Sequence, residues 1–335
     1  MSALQITWFA LIGLLLGGYA VLDGFDLGVG FWHLFTKKER ERHLFLRSIG
    51  PVWDGNEVWL LTGGGAIFAA FPPVYASVFS GFYLALLLVL AGLIVRAVAI
   101  EFRHQVAAPG WRKLWDTAFA IGSILPALLF GVALGNLVRG LELDSSGNYT
   151  GGFFALLNPY ALLVGVTGLA MFATHGALYL ALKTEGETRQ TARGWAKTAS
   201  RVYLVLFLLV AVFSLTFQQR GSILLPLAAC AVALASIVGI GVMEKADRIW
   251  PAFLLCSLSI LALLAATGAT LYPNLVPALN DPALSLTLYN SSASQKSLTV
   301  MLTVALLGMP VVIGYTIFIY RTFAGPVRTE EEDLY

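Results

Sequence analysis

The sequence predicts an all-α integral membrane protein. Three observations carry that reading: an apolar composition, a succession of apolar runs each about one bilayer long, and a one-sided distribution of basic residues. Of the 335 residues, 58% are hydrophobic and 12% charged, and the mean hydropathy is +0.79. Such a chain cannot present a charged surface to water on all sides. A formal net charge of +2 gives no ground for a nucleic-acid partner. Cys230 and Cys256, the two cysteines, both fall inside apolar runs. That placement suits packing, and suggests neither a disulfide framework nor a metal-binding set.

A helix needs about 20 mostly apolar residues to cross the hydrocarbon core, and nine runs qualify. The first, 6–33, has no basic n-region before it and continues past signal-peptide length, so it reads as a retained span. The second and third, 52–71 and 74–100, meet at Pro72-Pro73, where a very short connection joins two antiparallel helices. Pro51 sits where a first helical turn begins. The fourth covers 114–138, and the fifth, 159–182, opens on Pro159 with Asn158 as its N-cap. The sixth and seventh, 202–217 and 222–243, are joined by the short stretch Gln218 to Gly221. The eighth, 252–271, follows Pro251, and the ninth covers 297–320. No internal repeat, low-complexity tract or soluble domain is visible. The outer loops at 139–158 and 272–296 are too short for one, so 1–335 reads as a single polytopic membrane domain.

The basic residues test this count independently. Nine spans place Arg139, Arg220 and Lys296 on one side, and the other eighteen of the 21 Lys and Arg residues on the opposite side. The large set includes Lys37, Lys38, Arg40, Arg42 and Arg47, a group from Arg96 to Lys113, and a group from Lys183 to Arg201. By the positive-inside rule the N-terminus is then periplasmic, and the acidic tail, Glu330 to Asp333, is cytoplasmic. An eight-span reading would scramble the partition.

Against this background the stretch GYAVLDGFDLGVG (18–30) is anomalous, because it sets Asp23 and Asp26 within an apolar span. At about 1.5 Å rise per residue they fall in the cytoplasmic third of the first helix, on neighbouring faces. The second span opens with Asp54 and Glu57 at the same spacing. Arg96 closes the third, Glu101 follows it, and Asp116 opens the fourth. Four acids and one arginine thus converge near one face of the membrane. Ionisable residues inside spans are costly, face a protein interior or a wet cavity, and mark proton or ion routes by default. Burial disfavours a charged carboxylate and a nearby arginine favours it, so a graded set can exchange protons near neutral pH. The structural alternative has Asp23 or Asp26 bonding a helix end, with Arg96 as counter-ion. Asp54, close to the surface, equally suits a charge at a helix N-terminus.

Gly13 and Gly17, Gly24 and Gly28, and Gly63-Gly64-Gly65 permit close helix approach. With no preceding strand, they are not a dinucleotide fingerprint. His33, His43 and His104 lie at the cytoplasmic edge and only His175 is deep, where a hydrogen-bonded interior role outweighs haem ligation. The sequence shows no metal cluster, nucleophile elbow, phosphate loop or nucleotide-binding domain. Cofactors of any redox chemistry are therefore expected in another chain.

GYAVLDGFDLGVG together with RSIGPVWDGNEVWLLTGGGAIFAAFPPVYASVFSGFYLAL (47–86) resembles subunit II of the cytochrome bd-type quinol oxidases, and the chain length resembles the cyanide-insensitive branch. Segments 115–136, 147–165 and 291–323 extend the similarity over nearly the whole chain. The short connection at 218–221 departs from members with a longer outer loop, and puts loop-dependent contacts in question.

The resemblance implies nine helices, as two four-helix bundles plus a peripheral helix, paired with a homologously folded subunit I. That partner would carry haems b and d, their ligands and the quinol loop, leaving no haem ligand in this chain. The complex would oxidise quinol, release protons outside and reduce oxygen to water with cytoplasmic protons, electrogenically and without pumping, in the bacterial inner membrane. Asp54 and Glu57 would mark the proton uptake side, with Asp23, Asp26 and Arg96 deeper. Trp59 either packs or faces subunit I or an oxygen path from lipid. The sequence leaves open a structurally held quinone, the quinone type and a small single-span accessory subunit. Two other classes compete, a stand-alone proton-coupled transporter and a purely structural partner subunit.

Overall fold

The computed structural model describes residues 3–214, 216 and 223–327. The chain runs through α1 (Ala3–Phe35), α2 (Glu39–Ile49), α3 (Trp53–Ala70), α4 (Pro72–Gly81), α5 (Tyr83–Phe102) and α6 (Pro109–Arg139). It continues with α7 (Pro159–Lys183), α8 (Gly186–Ser214), α9 (Leu224–Lys245), α10 (Ile249–Leu271), the short strands β1 (Asn274–Val276) and β2 (Leu286–Thr287), and α11 (Gln295–Thr322). Pro72, Pro109 and Pro159 occupy first turns, where a missing N–H costs nothing. Asn158 caps α7 by accepting from the Ala161 amide at 3.0 Å.

Eight helices among the described residues are long and apolar enough to cross a membrane, one fewer than the nine expected spans. The difference is α3, only 18 residues long, with Asp54, Asn56 and Glu57 in its opening turns. The expected third span, 74–100, is two helices, because the chain breaks at Phe82 (φ −92°, ψ 16°). Beside this joint the 139–158 loop packs closely: a Cβ on Gly81 would lie 2.8 Å from the side chain of Tyr149. The basic stretch before α3 is the amphipathic helix α2, which buries Leu44, Phe45, Leu46 and Ile49. Likewise α8 starts well before residue 202, with Ala192, Ala196 and Ala199 forming a buried small-residue stripe. The connection at 218–221, Arg220, Arg328 and the acidic tail lie outside the described residues.

The helices form two four-membered groups, α1, α3, α4–α5 and α6 in one and α7 to α10 in the other, with α11 on the periphery against α1 and α3. Their seam depends on glycine at two facing positions. A Cβ on Gly28 would sit 1.9 Å from the Phe172 carbonyl oxygen, and one on Gly176 2.3 Å from the Gly28 carbonyl carbon. Gly17, Gly24 and Gly63 also meet neighbouring side chains, but Gly13, Gly64 and Gly65 face open space within the chain. At the end remote from α2, the loops 139–158 and 272–296 are stitched together. Leu141 N donates to Pro277 O at 2.9 Å and Leu279 N to Leu141 O at 2.8 Å, beside the antiparallel β1–β2 pair.

Candidate functional site

The two aspartates of α1, neighbours on one side of the helix, bond to different helices. Asp23 faces α5, where Arg96 grips it with both terminal nitrogens: Nη1 donates to Oδ2 at 2.9 Å and Nη2 to Oδ1. Neither residue has any exposed surface. A bidentate fork of this kind satisfies charge and geometry together. Gly122 of α6 lies against the Arg96 backbone, where a Cβ would come within 2.9 Å of its nitrogen. Asp26 faces α3 instead. Its Oδ2 accepts from Asn56 Nδ2 at 2.7 Å, and Asn56 Nδ2 also donates to the Leu22 carbonyl at 3.1 Å. The Tyr320 hydroxyl, from the last turn of α11, donates to Asn56 Oδ1 at 2.8 Å. The other carboxylate oxygen of Asp26 is buried and has no hydrogen-bond partner among the described residues.

Glu57 is half-buried and within electrostatic reach of Arg96, Asp23 and Asp54. Asp54 is exposed at the start of α3, and Glu101 is exposed at the end of α5. The structure therefore gathers Asp23, Asp26 and Arg96 into one buried centre, sets Glu57 beside it and leaves Asp54 at the surface. Trp59 packs on α1: a Cβ on Gly18 would fall 2.5 Å from its ring. Asn56 and Tyr320 belong to the centre although sequence reasoning did not select them. Its place between Asp54 and Glu57 was the available signal for Asn56, whereas Tyr320 lies 264 positions away with none.

Asp116 joins a second cluster. Its carboxylate receives Arg103 Nε at 2.6 Å and Arg42 Nη1 at 2.6 Å, and lies 2.5 Å from His33 Nε2. Among the described residues no group of three or more His, Cys, Asp or Glu is arranged to hold a metal ion.

A multi-pass, all-helical membrane subunit with a buried acid–arginine centre towards one end is the class these features define. The sequence profile of the cytochrome bd terminal oxidase subunit II family matches residues 4–323, and the chain belongs to that family. It is 36% identical to the cytochrome bd-I ubiquinol oxidase subunit 2 of Escherichia coli strain K12, covering 98% of this chain and 97% of that one. It is also 36% identical to the cytochrome bd ubiquinol oxidase subunit 2 of Bacillus subtilis, over the full length of both. A solved bd oxidase structure from Geobacillus thermodenitrificans shares the fold, with a TM-score of 0.80 at 16% identity, covering 96% of this chain and 99% of that one. The protein is thus a multi-pass membrane subunit of an oxidoreductase complex.

A cytochrome complex holds haem, and His175 is the deep histidine to test as a ligand. Its Nε2 lies 3.0 Å from the Val21 carbonyl, which only accepts, so Nε2 carries the proton. Its ring stacks on Phe253 at 4.4 Å between centroids and meets Phe25 edge-on at 5.8 Å. The imidazole is thus packed between aromatic side chains of this chain, and its Nδ1 is buried with no hydrogen-bond partner among the described residues.

Proposed function

We propose that this chain is subunit II of a heterodimeric quinol:oxygen oxidoreductase of the cyanide-insensitive cytochrome bd type. In this reading it supports a haem-bearing subunit I and supplies the proton uptake route for reducing oxygen to water. The observation that carries the reading is Asp26, a fully buried carboxyl whose bonded partner is a neutral amide, set beside the fully paired Asp23 and Arg96. Buried acids without a bonded cation are expensive in a membrane and mark proton routes. Glu57 and the exposed Asp54 extend from that centre towards the helix ends that carry most of the basic residues, which favours uptake from the cytoplasm and a periplasmic N-terminus. Quinol as reductant and haems b and d in the partner accord with relatives named ubiquinol oxidase subunits. Quinol oxidation outside and proton uptake inside would make the reaction electrogenic without a pump.

Asp54→Asn in the assembled complex tests the route. Oxygen consumption per haem is expected to fall about 10-fold or more, the scale of a lost proton-transfer group, with haem content unchanged. Full turnover would remove Asp54 from the route. Lost assembly with normal turnover per haem would favour the purely structural role. Family membership leaves the stand-alone transporter without support.

A further inference from the structure

We infer that Asn56 and Tyr320 are positioning residues for Asp26: together they commit one carboxylate oxygen to a fixed bond and leave the other as the atom that gains and loses the proton. The inference rests on the proton-route reading above. Asn56 is 2% exposed. Its amide nitrogen carries two hydrogens, and two acceptors face it, Asp26 Oδ2 at 2.7 Å and the Leu22 carbonyl at 3.1 Å. Its Oδ1 only accepts, so the Tyr320 hydroxyl at 2.8 Å is the donor. Three partners thereby fix the amide orientation. A flipped amide would set oxygen against the Leu22 carbonyl and the carboxylate, and turn its nitrogen to the tyrosine.

Asp26 Oδ2 is therefore occupied, while Oδ1 is buried with no partner among the described residues. A proton arriving from the Glu57 side binds Oδ1 and later leaves from it, so the carboxyl returns to its starting state with no other bond changed. The ionisable groups facing Asp26 come from five helices: Asp23 on α1, Glu57 on α3, Arg96 on α5, Tyr179 on α7 and Tyr320 on α11.

Tyr320 is delivered to this position by an anchored helix end. Beyond it Lys183 Nζ donates to the Phe323 carbonyl at 2.5 Å, and Val327 N donates to the Lys183 carbonyl at 2.9 Å. The rest of α11 shows little burial, with Leu298 as its one buried residue. Hydrogen bonds in a chain polarise one another, so α11, α3 and α1 act on the carboxylate as a unit. The Tyr320 ring meets Phe25 edge-on at 6.5 Å, and phenylalanine at 320 preserves that contact while deleting the hydroxyl.

The test uses the complex purified with its partner subunit, as the unaltered form and as Tyr320→Phe, Asn56→Ala, the double variant and Asp26→Asn. Haem content, oxygen consumption per haem from pH 6 to 8, and the solvent deuterium isotope effect are measured. Tyr320→Phe is expected to keep its haem and lose about 3- to 10-fold in turnover at pH 8, the worth of one hydrogen bond. The loss should shrink at pH 6 and the isotope effect should rise, because proton uptake becomes limiting and its supply falls with pH. In the Asn56→Ala background, Tyr320→Phe is expected to add almost nothing, since both act through one bond. Native kinetics in Tyr320→Phe beside an impaired Asp26→Asn would overturn the positioning role and leave the route standing. Native kinetics in both would overturn the route itself. A Tyr320→Phe complex that assembles poorly but turns over normally per haem is a structural contact, and also overturns the inference.

Discussion

Two buried charge centres lie ten residues apart on α1, about 15 Å along the helix, and they balance acid against donors in opposite ways. At the outer one, the carboxylate of Asp116 is surrounded by His33, Arg42 and Arg103, drawn from α1, α2 and the end of α5, and the half-exposed Glu39 accepts from Arg103 at 2.9 Å and Arg112 at 3.1 Å, so donors still outnumber acids. Asp116 borders a cavity of about 340 Å³ lined also by Glu39, Arg112 and Lys113. At the inner one, two carboxylates share one guanidinium; Arg96 is spent on Asp23, and Asp26 receives a neutral amide. An excess of donors locks a carboxylate and ties four segments of chain together. A shortage leaves one carboxylate oxygen without a hydrogen-bond partner among the described residues. Similar residue types near the same helix ends thus serve fastening in one place and, on the reading proposed above, transport in the other.

Arg96→Leu should distinguish them most sharply. It strands a fully buried Asp23, a change that typically costs ~3–5 kcal/mol, so the yield of haem-bearing complex and its thermal unfolding temperature should both collapse. Near-normal assembly would mean that Asp23 and Arg96 do not form a charge-balanced unit. Gly28→Ala, between the centres, should cost ~1–3 kcal/mol or more by overpacking the seam, while Gly64→Ala, facing open space, should stay within about 0.5 kcal/mol. Thermal unfolding of the two variants side by side checks the contrast. Asp116→Asn should lower stability by ~1–2 kcal/mol through weakened charge-assisted bonds, with oxygen consumption per haem unchanged. A fall in turnover there would erase the distinction between fastening and transport. The smallest effect is expected from Glu187→Gln. It breaks the exposed pair with Lys38 at 2.6 Å, and neither stability nor turnover should change measurably.

The apolar runs and their proline and asparagine punctuation were legible in the sequence because a bilayer-length helix is a local pattern. The Phe82 break was not legible, since neither Gly81 nor Phe82 marks a helix end in so apolar a run, and the Tyr149 side chain that packs on Gly81 comes from a distant loop. The basic stretch that forms α2 lies outside every apolar run because its apolar residues are few, and their burial depends on neighbouring helices. Within the centre, Asp23, Asp26 and Arg96 stood out as charges in apolar surroundings. Which acid Arg96 would choose did not, and Asp54, read as converging with them, stays exposed. Asp116 was visible as an acid opening a span, but its partners His33, Arg42 and Arg103 come from three other segments.

By itself the sequence determined that this chain lives in a membrane, roughly where it crosses, and that its first helix carries acids lipid would not tolerate. Those properties follow from transfer free energies of individual side chains, which need no knowledge of neighbours. Only the tertiary structure decided that Asp23 is neutralised while Asp26 is not, and that Tyr320 reaches it through Asn56. Hydrogen bonds are short and directional, so a pairing across 264 positions exists only once α1, α3 and α11 have packed to within ångströms of their final places.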